Sequence, residues 1–81
     1  IIQVPAGASV TVNFENKDRV GHNLAVYTDK SAAKAIFVGE VVSARTITYQ
    51  FTAPAAPGTY FFRCDPHPST MYGDFVVTPG S

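Results

Sequence analysis

The chain contains a single cysteine, so no disulfide can close within it and a disulfide-stapled scaffold is excluded. Neither sign of charge is in excess, because six basic residues balance six acidic ones. There is no basic run, which argues against a nucleic-acid partner held through phosphate contacts. Charged residues make up only 15% of the chain, which argues against a strongly charged docking face. No stretch approaches the ~20 apolar residues of a membrane span, and no basic-then-apolar leader opens the chain. Glycine-rich phosphate loops are absent. No nucleophile–base–orienter set emerges among Ser, His and Asp, so hydrolytic chemistry is disfavoured.

What is there fits one small domain, residues 1–81, with a modest core. A domain of this size is marginal without help, and a metal tying distant segments together would supply some. The opening Ile1-Ile2-Gln3-Val4 reads as part of a strand, as expected of a chain that continues from a trimmed segment. The closing Pro79-Gly80-Ser81 reads as a linker stub, and an anchor or companion domain beyond these residues stays open.

Along the chain, Val10, Val12 and Phe14 alternate with Ser9, Thr11, Asn13 and Glu15, the period-two pattern of a half-buried strand. Pro5-Ala6-Gly7 marks a turn before it. A polar loop, Glu15 to Arg19, leads to Gly21 and then to a strand over His22–Tyr27. Asp29 to Ala35 favours one or two helical turns, with Asp29 or Ser31 as the cap. Thr46 to Thr52 is a strand with Ile47, Tyr49 and Phe51 on one face, and Tyr60 to Cys64 is another with Tyr60, Phe62 and Cys64 aligned. A last strand runs from about Gly73 to Thr78. Short β-branched and aromatic strands between Pro/Gly turns predict an all-β domain, most simply a Greek-key β-sandwich.

The chemistry concentrates in Cys64-Asp65-Pro66-His67-Pro68-Ser69-Thr70-Met71 and, far upstream, in His22-Asn23. Two imidazoles and a thiolate with a weak axial thioether form the donor set of a blue-copper electron-transfer centre. Cys64 has an ordinary reading as a small buried hydrophobe, but its place at a strand end, three residues before a histidine, suits a ligand loop better. His67 sits between two prolines that restrict its neighbours; its ordinary reading is an exposed loop histidine. Met71 reads as an axial ligand or as core filler. His22 reads as a ligand or as a satisfied strand-start histidine, and Asn23 as a bridge to the Cys64 loop or a plain edge residue. Asp65 either adds negative charge beside the thiolate or points outward into solvent, and the outward placement is the expectation. Zinc accepts two histidines and a cysteine, but methionine suits it poorly and the loop offers no obvious general base.

These stretches resemble a small blue copper protein, a cupredoxin of the plastocyanin/azurin type. The resemblance runs through Val4–Gly7, Val20–Asn23, Phe51–Pro54, Pro57–Cys64 and Cys64–Met71. It implies that His22, Cys64, His67 and Met71 bind one copper ion. It also implies that Asn23 secures the ligand loop and that His67 lies in an apolar surface patch. The Pro-His-Pro run is most similar to the amicyanin branch. Three residues separate His67 from Met71, however, more than in amicyanin and fewer than in plastocyanin. Family members carry a further strand before the position of Ile1. A sandwich lacking that strand would have an exposed sheet edge, for a second copy or a companion domain to cover.

The implied function is single-electron transfer by Cu(I)/Cu(II) cycling, with no enzyme activity. Redox proteins such as cytochromes or copper enzymes would be its partners, in the periplasm, outside the cell or on a membrane-anchored protein. The alternative is a module that stores, delivers or senses copper.

Overall fold

The computed structural model describes residues 2–80; Ile1 and Ser81, at the outer ends of the expected first strand and of the terminal stub, lie outside the described residues. Seven strands follow one another: β1 (Ile2–Pro5), β2 (Ser9–Asn16), β3 (Ala25–Tyr27), β4 (Ala35–Val38), β5 (Arg45–Thr52), β6 (Gly58–Arg63) and β7 (Tyr72–Thr78). They form a five-stranded sheet in the order β1-β7-β6-β3-β4 and a two-stranded sheet, β2-β5. The pair β1–β7 is parallel and the others are antiparallel. This is the expected all-β, Greek-key-like sandwich.

The alternating patterns decide which faces meet. On β2 and β5, Val10 pairs with Phe51, Val12 with Tyr49 and Phe14 with Ile47, all on the inner side. The intervening Thr11, Asn13, Thr48 and Gln50 are exposed. Phe51 stacks on Phe37 of the opposite sheet with ring centroids 4.5 Å apart and reaches Phe75 at 5.9 Å. Such ring pairs add about 0.5–1.5 kcal/mol beyond their burial. Val26, Phe75 and Val77 are the fully buried centre, with Tyr60 and Phe62 packed against them. Burying Phe75 alone is worth about 1.5–3 kcal/mol.

The outer side of β3 and β6 is also covered. Ala25, Tyr27 and Phe61 form a second cluster, closed by Ala32 from the connection to β4. That connection is a turn and not the expected helical segment. Asp29 still acts as a cap, but of a turn: its carboxylate accepts from the Ser31 amide at 2.9 Å and the Ser31 hydroxyl at 2.6 Å. Ala32 then takes φ of 55°, which ends any helical path.

The expected strand over His22–Tyr27 is also shorter, with a continuous ladder only from Ala25. His22 makes an isolated bridge to Val42 instead. The Asn23 side chain binds the Gly39 carbonyl just beyond the end of β4, where the chain leaves the sheet. An N-terminal strand is present as β1, set on β7. The two-stranded sheet gains no third member among the described residues, so β2 and β5 each retain a free edge there.

Gly39 is where the fold meets the site. Its carbonyl holds Asn23, and a Cβ there would come within 2.7 Å of both the Leu24 carbonyl and the Tyr49 ring. We expect Gly39→Ala to cost about 1–3 kcal/mol through overpacking, read as a lower urea midpoint with an unchanged slope. An unchanged midpoint would show that the close approach at Gly39 is not required.

Candidate metal centre

Three segments meet at one end of the sandwich. His22 precedes β3, Cys64 directly follows β6, and His67 and Met71 lie in the loop running to β7. Each of His22, Cys64 and His67 offers one donor atom, and the three atoms lie within 4.8 Å of one another. The Cys64 sulfur is 3.5 Å from His22 Nδ1, and the two imidazole centroids are 4.7 Å apart. Cys64 is buried, as its alignment with Tyr60 and Phe62 requires, while both histidines are half-buried.

The loop owes its shape to its own backbone. The Cys64 amide donates to the Met71 carbonyl at 2.8 Å and closes the loop at its neck. Inside it, the His67 amide donates to the Cys64 carbonyl at 3.0 Å, and the Met71 amide to the His67 carbonyl at 3.1 Å. The prolines on either side of His67 limit the alternatives to this turn. Met71 is 42% exposed. It borders one surface cleft with His22 and Phe14 and another with Cys64 and Asn23.

The His22 side is held by residues that sequence reasoning did not single out. Buried Asn16 donates to the Val42 carbonyl at 2.8 Å and the Val20 carbonyl at 3.0 Å. Its own oxygen accepts from the Asp18 amide at 2.9 Å. Val42 exchanges both backbone hydrogen bonds with His22. Asp18 then places a carboxylate oxygen 3.4 Å from His22 Nε2, leaving Nδ1 turned toward Cys64. A carboxylate on the outer ring nitrogen is a common way to orient a metal-ligating histidine. The polarity of Glu15–Arg19 reads as loop, yet β2 continues through Asn16, and only the burial of Asn16 reveals its role.

Asn23 does what its placement beside His22 suggested. Its oxygen accepts from the Asp65 amide at 2.8 Å, and its amide donates to Gly39 and to Asp65. Asp65 departs from the outward placement expected of it. Its half-buried carboxylate accepts from the Tyr27 hydroxyl at 2.6 Å, Arg63 Nε at 2.9 Å and Asn23 Nδ2 at 3.2 Å. Arg63 also lies over the Tyr27 ring, 4.9 Å from its centre. No spacing rule brings Tyr27 and Asp65 together, because they are 38 positions apart and meet only through the β3–β6 pairing.

The donor set has one further mark of a metal site. His67 Nε2 is buried and has no hydrogen-bond partner, an arrangement that costs free energy unless a ligand satisfies it. Two imidazoles and a thiolate at this spacing fit a soft or borderline transition metal.

Burial raises the Asp65 pKa, but the hydrogen bonds from Tyr27, Arg63 and Asn23 and the Arg63 charge outweigh it, so the carboxyl titrates below its usual 3.8. A carboxyl with a depressed folded pKa stabilises the fold above its unfolded pKa and loses that contribution as pH falls through the folded value. We therefore expect the metal-free protein to lose stability as pH drops from about 4 downward. Asp65→Asn should flatten that acid limb in denaturant titrations at stepped pH. An unaltered limb would mean that Asp65 is no better stabilised folded than unfolded.

The chain matches the family model for copper binding proteins, plastocyanin/azurin family, over residues 2–78. Among solved structures it is similar to a dithionite-reduced auracyanin from the photosynthetic bacterium Roseiflexus castenholzii, with 27% identity and a TM-score of 0.82 over 96% of this chain and 83% of that one. Auracyanin A of Chloroflexus aurantiacus, described as a "blue" copper protein, has 26% identity and a TM-score of 0.77 over 95% and 84%. A variant amicyanin in its reduced Cu(I) form has 30% identity and a TM-score of 0.63 over 95% and 68%. No curated protein sequence gives a significant match. With its His-Cys-His cluster at the sandwich end and a family match spanning nearly all of its length, the chain belongs to the plastocyanin/azurin family of copper-binding proteins.

Proposed function

We propose that this protein is a type 1 copper electron carrier, one domain over residues 1–81, in which His22, Cys64 and His67 would be the strong ligands of the copper and Met71 a weaker fourth. The observation that carries the reading is the convergence of the three donor atoms within 4.8 Å from separate segments. Bound there, copper supplies a one-electron Cu(I)/Cu(II) couple, with thiolate donation strengthening one bond and a thioether tuning the potential. The chain does the rest. Asn16, Val42 and Asp18 hold His22, the loop backbone holds Cys64 and His67, and burial of Cys64 keeps water from the sulfur.

His67 is half-buried between exposed Pro66 and Pro68, which leaves an apolar approach to its ring. Val20, Val41, Met71 and Tyr72 are also exposed. Apolar exposure of this kind suits brief, small-area encounters with redox proteins such as cytochromes or copper enzymes. The periplasm or an extracellular surface is the proposed setting. Among the described residues no helix is long and apolar enough to cross a membrane.

The exposure of Met71 favours a second reading, a module that stores, delivers or senses copper, since an accessible ligand eases metal exchange. One experiment separates the two. The metal-free protein is titrated with Cu(II), its visible absorption and EPR are recorded, and after reduction a Cu(I) chelator is added. An electron carrier gives a strong band near ~600 nm with narrow copper hyperfine splitting, loses both in Cys64→Ser, and retains Cu(I) against the chelator. A pale, square-planar signal would contradict a type 1 site, and rapid release of Cu(I) would favour delivery.

A further inference from the structure

The Asp65 carboxylate is the least expected group near the metal centre. It is one residue from the thiolate, yet it carries a formal charge that would favour Cu(II) if left uncompensated. Its surroundings answer that charge. Arg63, two residues back on β6, donates from Nε at 2.9 Å and lies over the Tyr27 ring. Tyr27 donates to the same carboxylate oxygen at 2.6 Å, and Asn23 donates to the other at 3.2 Å. The side chains of Arg63 and Asp65 are 26% and 25% exposed, so the pair is partly shielded from solvent. Three segments contribute: Tyr27 from β3, Arg63 from β6 and Asn23 from the segment beside His22.

Two consequences follow from chemistry alone. Mechanically, three donors converge on one carboxylate of the ligand loop, Tyr27 on β3, Arg63 on β6 and Asn23 just before β3, and they tie the loop root to the sheet. Electrically, a carboxylate and a guanidinium bonded to each other act at a distance as a dipole and not as a charge. Left unpaired, a partly buried charge here would act on the metal with little screening.

We propose that Asp65 is a positioning residue whose carboxylate, neutralised by Arg63, clasps the Cys64–Met71 loop to β3 and β6 without adding net charge beside the thiolate. The clasp is independent of metal identity; the charge balance rests on the copper reading given above.

The test uses the full chain and two readouts. In the copper-loaded protein, Asp65→Asn removes the anion and leaves the cation, so the reduction potential rises. Arg63→Gln does the reverse, and the potential falls. The double variant returns close to the parent, because the two charges cancel. Potentials that move in the same direction in both single variants, or a double variant displaced further than either, would overturn the charge balance, since loss of structure alone gives that pattern. In the metal-free chain, Tyr27→Phe and Asp65→Asn should speed amide exchange of the loop at Cys64, Asp65 and His67 about tenfold, the equivalent of one lost charge-assisted hydrogen bond. Amides of β7 should be unchanged. Unaltered loop exchange in both variants would overturn the clasp. The exchange readout needs no copper, so a protein that failed to form the ~600 nm chromophore would refute the copper reading while leaving the clasp to be decided separately.

Discussion

The arrangement depends on one junction, where Asn23 and Asp65 join the His22 segment to the Cys64 loop. A site assembled from residues 22 and 64 needs two distant pieces of chain held in fixed register. Backbone pairing alone does not provide it, because the β3–β6 ladder stops at Ala25 and Arg63, short of the ligands. Side chains complete what the ladder leaves undone. Asn23 uses both ends of its amide, one on the Asp65 amide and the other on the Gly39 carbonyl and the Asp65 carboxylate. These groups lie in or at the edge of the interior, where a made hydrogen bond is worth about 1 kcal/mol and an unmade one costs more.

The core explains why such a junction matters in so small a protein. The largest fully buried side chains among the described residues are just Phe75, Val26 and Val77, and one of the two sheets has only two strands. Many aromatic residues remain half-buried around that centre, Phe37, Phe51 and Phe62 among them. With a limited hydrophobic core, polar contacts and metal binding carry a larger share of stability than in a bigger domain. The same contacts that stabilise the fold fix the metal donors, so stability and site geometry are coupled in this chain.

Much of this was legible in the residues. Period-two alternation gave the faces of β2 and β5, because each strand has one wet side and one dry side. Cys64 followed the parity of Tyr60 and Phe62 into the interior, and the spacing of Cys64 and His67 pointed to a loop site. The helical reading of Asp29–Ala35 failed because composition registers propensity, whereas the Asp29 and Ser31 side chains compete for the backbone and favour a turn. Asp65 was misjudged for a different reason. A carboxylate in a loop is ordinarily solvated, and two of its three donors, Tyr27 and Asn23, come near it only once the sheet has formed, while Arg63 is two residues away. Asn16 and Asp18 were hidden in the same way, inside a segment whose polarity reads as surface.

The contacts around Asn23 and Asp65 imply that the scaffold, and not the metal, sets the geometry of the donors. Crystal structures of the chain without metal and with copper bound would test it most directly. The Cys64–Met71 backbone should differ by no more than about 1 Å between the two. Asn23 and Tyr27 should keep their bonds to Asp65, with His22 Nδ1 and the Cys64 sulfur facing each other in both. A metal-free loop that swings away, with Asp65 released from Tyr27 and Arg63 and the two histidines separated, would contradict it.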